Sequence, residues 1–204
     1  DSIKNLLAQS ARRAMEAGID AIEVHGDRLL GSLCSTILNH RTDEYGGCFE
    51  NRIRYAIEVV RAIKEAAPSL MIEYKLPIVT VQPDGSLMGK GGIILEEAIE
   101  LAKILEQNGV DTIHVAQANH TGNMNDTIPA MGTRPYAFMK EHSIAIKNAV
   151  SFEIICCPFR WWAYIFLPFS TINRINVVSC SFPLLLNVEY ARPICKGLCP
   201  FAVA

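Results

Sequence analysis

Short apolar stretches that read as strands begin near residues 20, 70, 111 and 152, and helical patterns separate them. The stretches are DAIEVH at 20–25, LMIEYKL at 70–76, DTIHVA at 111–116 and FEIICC at 152–157. One strand and one helix per roughly 40–50 residues is the rhythm of right-handed βα units, which lay parallel strands side by side. The chain is therefore α/β, and an open doubly wound sheet and a (βα)8 barrel both fit the rhythm. Four strands are half of what a barrel needs, and a whole barrel typically takes ~250 residues.

The helical segments carry the expected marks. Residues 2–17 place Ile3, Leu6, Leu7, Ala11 and Ala14 on one stripe, with Asp1 or Ser2 as cap and Gly18 as stop. Residues 50–67 align Ile53, Ile57, Val60 and Ile63 before Pro68, and Leu95, Ala98, Ile99, Ala102 and Leu105 define a third helix ended by Gly109. A fourth covers 134–149. The turn formers of PIVTVQPDGSLMGKGG, residues 77–92, predict a loop.

With 204 residues, half of them apolar, and a net charge of −2, the chain suits one globular domain and offers no basic field for nucleic acid. A small molecule is the expected partner. The N-terminal segment has neither a basic n-region nor an apolar h-region and reads as the interior of a longer chain. Seven cysteines, an odd number without a small-scaffold framework, point to reduced thiols and a cytoplasmic setting.

Beyond Cys157 the pattern fails. Only six charged side chains fall after residue 150, and Pro158, Pro168, Pro183 and Pro193 break any periodicity. A membrane helix over 154–169 is interrupted by Pro158, Arg160 and Pro168 and is shorter than the ~20 residues a span requires, so no membrane partner is expected. The expected division is a partial barrel domain at 1–157 and an irregular, out-of-frame tail at 158–204.

Ligands of parallel α/β folds gather where the strands end at their carboxyl side. That rule puts His25, Lys75 or Leu76, and residues 116–120 on one rim. His25 either polarises a substrate oxygen or pins the following loop. Lys75 and Glu73 share a face, so the lysine is partnered either by that glutamate or by a bound cofactor. No metal site is expected: His40, Asp43 and Glu44 lie too close in sequence to converge on one ion, and Cys195 with Cys199 are too few for an iron–sulfur site. The GKGG stretch at 89–92 matches no phosphate fingerprint and reads as a turn.

Two stretches are more specific: ARRAMEAGIDAIEVHG, then NHRTDEYGGCFENRIRYAIEVVRAIKEA. Together they resemble the Old Yellow Enzyme family of FMN-binding TIM barrels, in particular the NADH:flavin oxidoreductase and 2,4-dienoyl-CoA reductase branch that includes bile-acid-inducible enoate reductases. The resemblance spans about residues 8–150 and implies a partial (βα)8 barrel, roughly the fourth to sixth βα units. It further implies an FMN that takes hydride from NADH or NADPH and reduces an α,β-unsaturated carbonyl, an enone or enoyl-CoA-like substrate. Iron–sulfur clusters and FAD belong only to longer relatives.

By that resemblance His25 holds the substrate carbonyl oxygen, and Lys75 stands where a basic residue at the end of the fifth strand favours the anionic reduced flavin. Arg28 occupies the position of a second family His or Asn, where a guanidinium donates to an oxyanion or selects a carboxylate or phosphate. Leu30 replaces the tyrosine that supplies a proton in many members, so the proton donor is unassigned. Two other readings stand beside this one: a nonfunctional fragment of such an enzyme, and a different TIM-barrel lyase or isomerase with Lys75 as amine nucleophile.

Overall fold

The computed structural model describes residues 2–81, 85–118 and 139–156. The expected tail at 158–204, the positions Asn119 and His120, and the first part of the helix expected over 134–149 lie outside the described residues.

Four parallel strands form the sheet: β1 (Ala21–His25), β2 (Met71–Ile78), β5 (Thr112–Gln117) and β6 (Glu153–Cys156), in the order β1-β2-β5-β6. Between β2 and β5 a short antiparallel pair, β3 (Thr80–Val81) with β4 (Leu87–Met88), occupies the segment expected to be loop. The reason is local: Gly85 and Gly89 take φ values of +81° and +90°, and the chain turns back so that Ile93 bridges to Ile78. Each long strand neighbours the next in chain order, without the reversal that marks a doubly wound sheet. This is the strand progression of a barrel wall.

The helices are α1 (Ser2–Glu16), α2 (Leu29–Cys34), α3 (Phe49–Ala66), α4 (Leu95–Gln107) and α5 (Lys140–Lys147). Alternation along the strands sorts side chains onto two faces. Ile72, Tyr74 and Leu76 of β2 and Ile113 and Val115 of β5 are fully buried and join one core with Ile53, Ile57, Val60 and Ile63 of α3 and Ala98, Leu101 and Leu105 of α4. The stripe expected on α3 is thus buried as read. That on α1 is not: only Ala11 is buried, while Ile3, Leu6 and Leu7 are exposed. Among the described residues α1 meets α3 along one side, with Lys4 bonded to Glu58 at 3.1 Å, and nothing covers its outer apolar turn.

The sequence-level loop after β1 contains α2, too short for its period to show. Its entry is tight. A Cβ on Gly31 would lie 2.5 Å from the carbonyl oxygens of Gly26 and Gly91, and one on Gly26 would lie 2.3 Å from that of Lys75. Glycine at these two positions lets the chain leave β1 against the end of β2, where the Gly26 amide donates to the Lys75 carbonyl at 3.1 Å.

Candidate functional site

The face turned away from the helices is polar. In register across the strands lie Glu23 with Glu73, then His25 with Lys75, and Lys75 with His114 of β5. Two residues along a strand return to the same face, so these five side chains form two layers at the carboxyl end of the sheet. Buried by helices, such residues would be costly. On the inner wall of a barrel they become a site.

Glu23 is the hub. One carboxylate oxygen meets His25 Nε2 at 2.8 Å and the other meets His114 Nδ1 at 2.9 Å. The second ring nitrogen of His25 lies 2.8 Å from Asp27 Oδ1, and the other oxygen of Asp27 lies 3.5 Å from Lys75 Nζ. Glu73 approaches His114 Nδ1 at 3.5 Å. Among the described residues the lysine's ion partner is therefore Asp27 rather than Glu73.

Electrostatics separates the two glutamates. Burial raises the Glu23 carboxyl, but the His114 hydrogen bond, with the charges of His25, His114 and Lys75, outweighs it and holds the group below the usual range. Burial and then the neighbouring Glu23 charge push Glu73 up, against the pull of His114, Lys75 and His25. Glu23, Glu73 and His114 offer ligand atoms within 4.8 Å of one another, the one such group among the described residues. Both Glu23 oxygens already face imidazole nitrogens, so ion pairing accounts for the cluster. His40, Asp43 and Glu44 form no such group; Asp43 is paired with Arg41 instead.

At the rim His25 is half exposed and Asp27 is buried. Arg28 is exposed, and among the described residues no carboxylate pairs with it. Leu30 is buried under the loop and offers no donor. The structure thus gathers His25 and Lys75 around Asp27, with Arg28 next in the chain. Sequence reasoning missed Glu23, Asp27 and His114. A polar residue two positions before His25, and another in the middle of an apolar strand, were the available signals.

The RTDEYGG and ENR residues do other work. Arg52, buried, reaches Gly47 O at 3.1 Å, Cys34 O at 2.6 Å and both carboxylate oxygens of Glu97 at 3.2 and 2.5 Å. Asn51 donates to Gly46 O at 3.2 Å and Arg54 to Glu44 O at 2.8 Å. Asn39 donates to the carbonyls of Leu33 and Tyr45, at 2.5 and 2.7 Å. The motif ties the loop after α2 to the start of α3 and, through Glu97, to α4. It holds the loop on the rim side of the sheet.

The sequence model for the NADH:flavin oxidoreductase / NADH oxidase family matches residues 2–150. The chain belongs to this family. It is 60% identical over 154 residues to a bilirubin reductase of Mediterraneibacter gnavus, covering 76% of this chain and 24% of that protein. It is 43% identical to a bilirubin reductase of Clostridium symbiosum (60% and 32% covered) and 37% identical to an NADH oxidase of Thermoanaerobacter brockii (57% and 17%). The chain thus spans about a quarter to a third of the bilirubin reductases it matches.

Among solved structures it superposes on morphinone reductase in complex with tetrahydroNAD with a TM-score of 0.61 at 24% identity, covering 96% of this chain and 48% of the other. On a 2-naphthoyl-CoA reductase complex the score is 0.69 at 19% identity, with 97% and 29% covered. These likenesses concern the fold, and together with the strand order they make the chain a partial TIM barrel. No helix among the described residues is long and apolar enough to cross a membrane.

Proposed function

We propose that this chain carries the substrate rim of an FMN-dependent ene-reductase that acts on a conjugated, acidic small molecule, with a bilirubin-like linear tetrapyrrole as the favoured class. The observation that supports it most is the rim itself. A half-exposed imidazole held by two carboxylates, a lysine ammonium beside it and a guanidinium unpaired among the described residues all lie at the carboxyl ends of β1 and β2.

The donor set suits the cofactor the family implies. Lys75 presents an ammonium toward the inner face, positioned for the electron-rich edge of a flavin, and is the residue here that would hold it. When bound, FMN supplies the hydride, drawn from NADH or NADPH. His25 donates to the substrate carbonyl oxygen, stabilising the negative charge that grows there as the double bond is reduced. Asp27 orients His25 and keeps Lys75 in place. Arg28 binds a carboxylate of the substrate, which a bilirubin-like molecule supplies through its propionate arms.

The reading as a lyase or isomerase requires a free amine at Lys75, whereas its nitrogen is shared with a buried aspartate. The division at residue 157 remains part of the proposal: 1–157 as the barrel portion and 158–204 as a separate tail. The test is direct. The purified chain is mixed with FMN, separated from free flavin and assayed for NADH or NADPH oxidation with bilirubin and with a simple enone. Retained flavin and bilirubin-dependent oxidation that drops on Arg28→Ala support the proposal; a chain that retains no flavin refutes it for this polypeptide, and it would then stand as a nonfunctional fragment.

A further inference from the structure

Glu23 lies one layer beneath the rim, outside the roles assigned above. Its two oxygens address two different imidazoles: His25 Nε2 above at 2.8 Å and His114 Nδ1 at 2.9 Å across on β5. His114 is buried, so this end of the bridge is fixed by packing. His25 is half exposed, so packing alone leaves its ring free to turn about χ2, a broad torsion. What fixes it is the pair of carboxylates, Asp27 at Nδ1 and Glu23 at Nε2.

We infer that Glu23, anchored by His114 on β5, is a positioning residue that sets the ring orientation of His25 and which of its nitrogens carries the proton. This deepens the ene-reductase reading and rests on it for its catalytic consequence. The charged and titratable groups that face the pair are Asp27, Lys75 and, in register with Lys75, His114, with Glu73 beside Glu23 in the deeper layer. Each ring nitrogen of His25 has a carboxylate oxygen at 2.8 Å, Asp27 in a hydrogen bond at Nδ1 and Glu23 in an ion-pair contact at Nε2. Substrate takes one of these places, and the remaining carboxylate then decides the tautomer. A carboxylate charge beside Nε2 favours the proton on that nitrogen, whereas a neutral amide of the same shape turns its NH2 toward it as readily as its oxygen.

The test uses the whole chain with 15N-labelled histidine and reads the imidazole nitrogens by NMR at constant pH. Glu23→Gln keeps shape and volume. It is expected to lower the ratio of Nε2-protonated to Nδ1-protonated His25 about fivefold, through loss of the carboxylate charge beside Nε2. His114→Gln, which removes the anchor on β5 and leaves Glu23 in place, moves the ratio in the same direction by less. An unchanged ratio in Glu23→Gln overturns the inference, and so does a ratio that responds to His114→Gln alone.

Flavin-loaded kinetics then gives the consequence: in Glu23→Gln kcat falls about tenfold while KM for the nicotinamide stays within twofold, the size expected of an outer partner that orients a working imidazole. An altered ratio with unaltered kcat also overturns the positioning role. A wild-type chain without turnover counts against the proposed function, and the NMR ratio still decides what Glu23 does to His25.

Discussion

Replacing Arg52 by methionine tests whether the family motif is a clamp. The arginine side chain is 5% exposed and makes four hydrogen bonds, two to main-chain carbonyls and two to Glu97, whose side chain is 24% exposed. Removing one partner of a buried ion pair costs about 3–5 kcal/mol, and water reaching Glu97 places this case at the lower end, about 3 kcal/mol. With a urea m-value of about 2 kcal/mol/M, the unfolding midpoint falls by about 1.5 M. The assay is equilibrium urea unfolding followed by far-ultraviolet circular dichroism, with Arg12→Ala as control for an exposed pair, Arg12 with Glu16. Arg52→Lys keeps the charge but loses the planar fork that reaches carbonyls and carboxylate together, so it recovers less than half of the loss. A midpoint shift for Arg52→Met no larger than that of Arg12→Ala refutes the clamp.

The two inner glutamates make opposite contributions to stability against pH. Glu23, held low, stabilises the fold above about pH 4.5 and loses that contribution as the pH falls through its folded value; Glu73, pushed up, stabilises below 4.5 and loses its contribution as the pH rises through its folded value. Glu73→Gln is therefore expected to raise stability at pH 7 by about 1 kcal/mol and to flatten its dependence above pH 4.5, checked by urea midpoints across pH 4–8. Cys34 is buried, and burial pushes its thiol up to about 12, whereas Cys48 is exposed. Iodoacetamide at pH 8 followed by peptide mapping should modify Cys48 and leave Cys34 intact unless the chain is unfolded. Gly31→Ala forces a Cβ to within 2.5 Å of two backbone oxygens, so thermal unfolding should shift down by several degrees, and flavin retention should fall with the displaced rim loop.

The wall of the barrel was legible because each strand and helix writes its own period. The stripe of α3 and the strand ends at His25 and near Gln117 fall within a residue or two of where pattern places them. Strand order was not, since parallel pairing depends on which βα unit lies beside which, and the same rhythm serves open and closed sheets. The site was half legible. His25 and Lys75 follow from the strand-end rule, but Glu73 is the only protein partner for Lys75 that strand periodicity offers, because it says nothing about Asp27, which sits in the loop beyond β1. His114 escaped notice inside an apolar run until register set it opposite Lys75. On α1 the pattern gave an apolar stripe without saying what it packs against.

The clamp around the rim loop has a bearing on how such a site can diversify. Asn39, Asn51, Arg52 and Arg54 grip the loop through the carbonyls of Leu33, Cys34, Glu44, Tyr45, Gly46 and Gly47, and every residue type supplies that acceptor. The side chains of Leu33 and Glu44 can therefore be exchanged without loosening the grip, whereas Gly46, where a Cβ would meet Arg41 O, and Gly47, at φ +82°, stay glycine. Arg28 stands ahead of the gripped stretch and belongs to none of these bonds. Mutation can re-tune what the rim recognises while the scaffold beneath it stays intact, which separates the inheritance of a substrate from the inheritance of a fold.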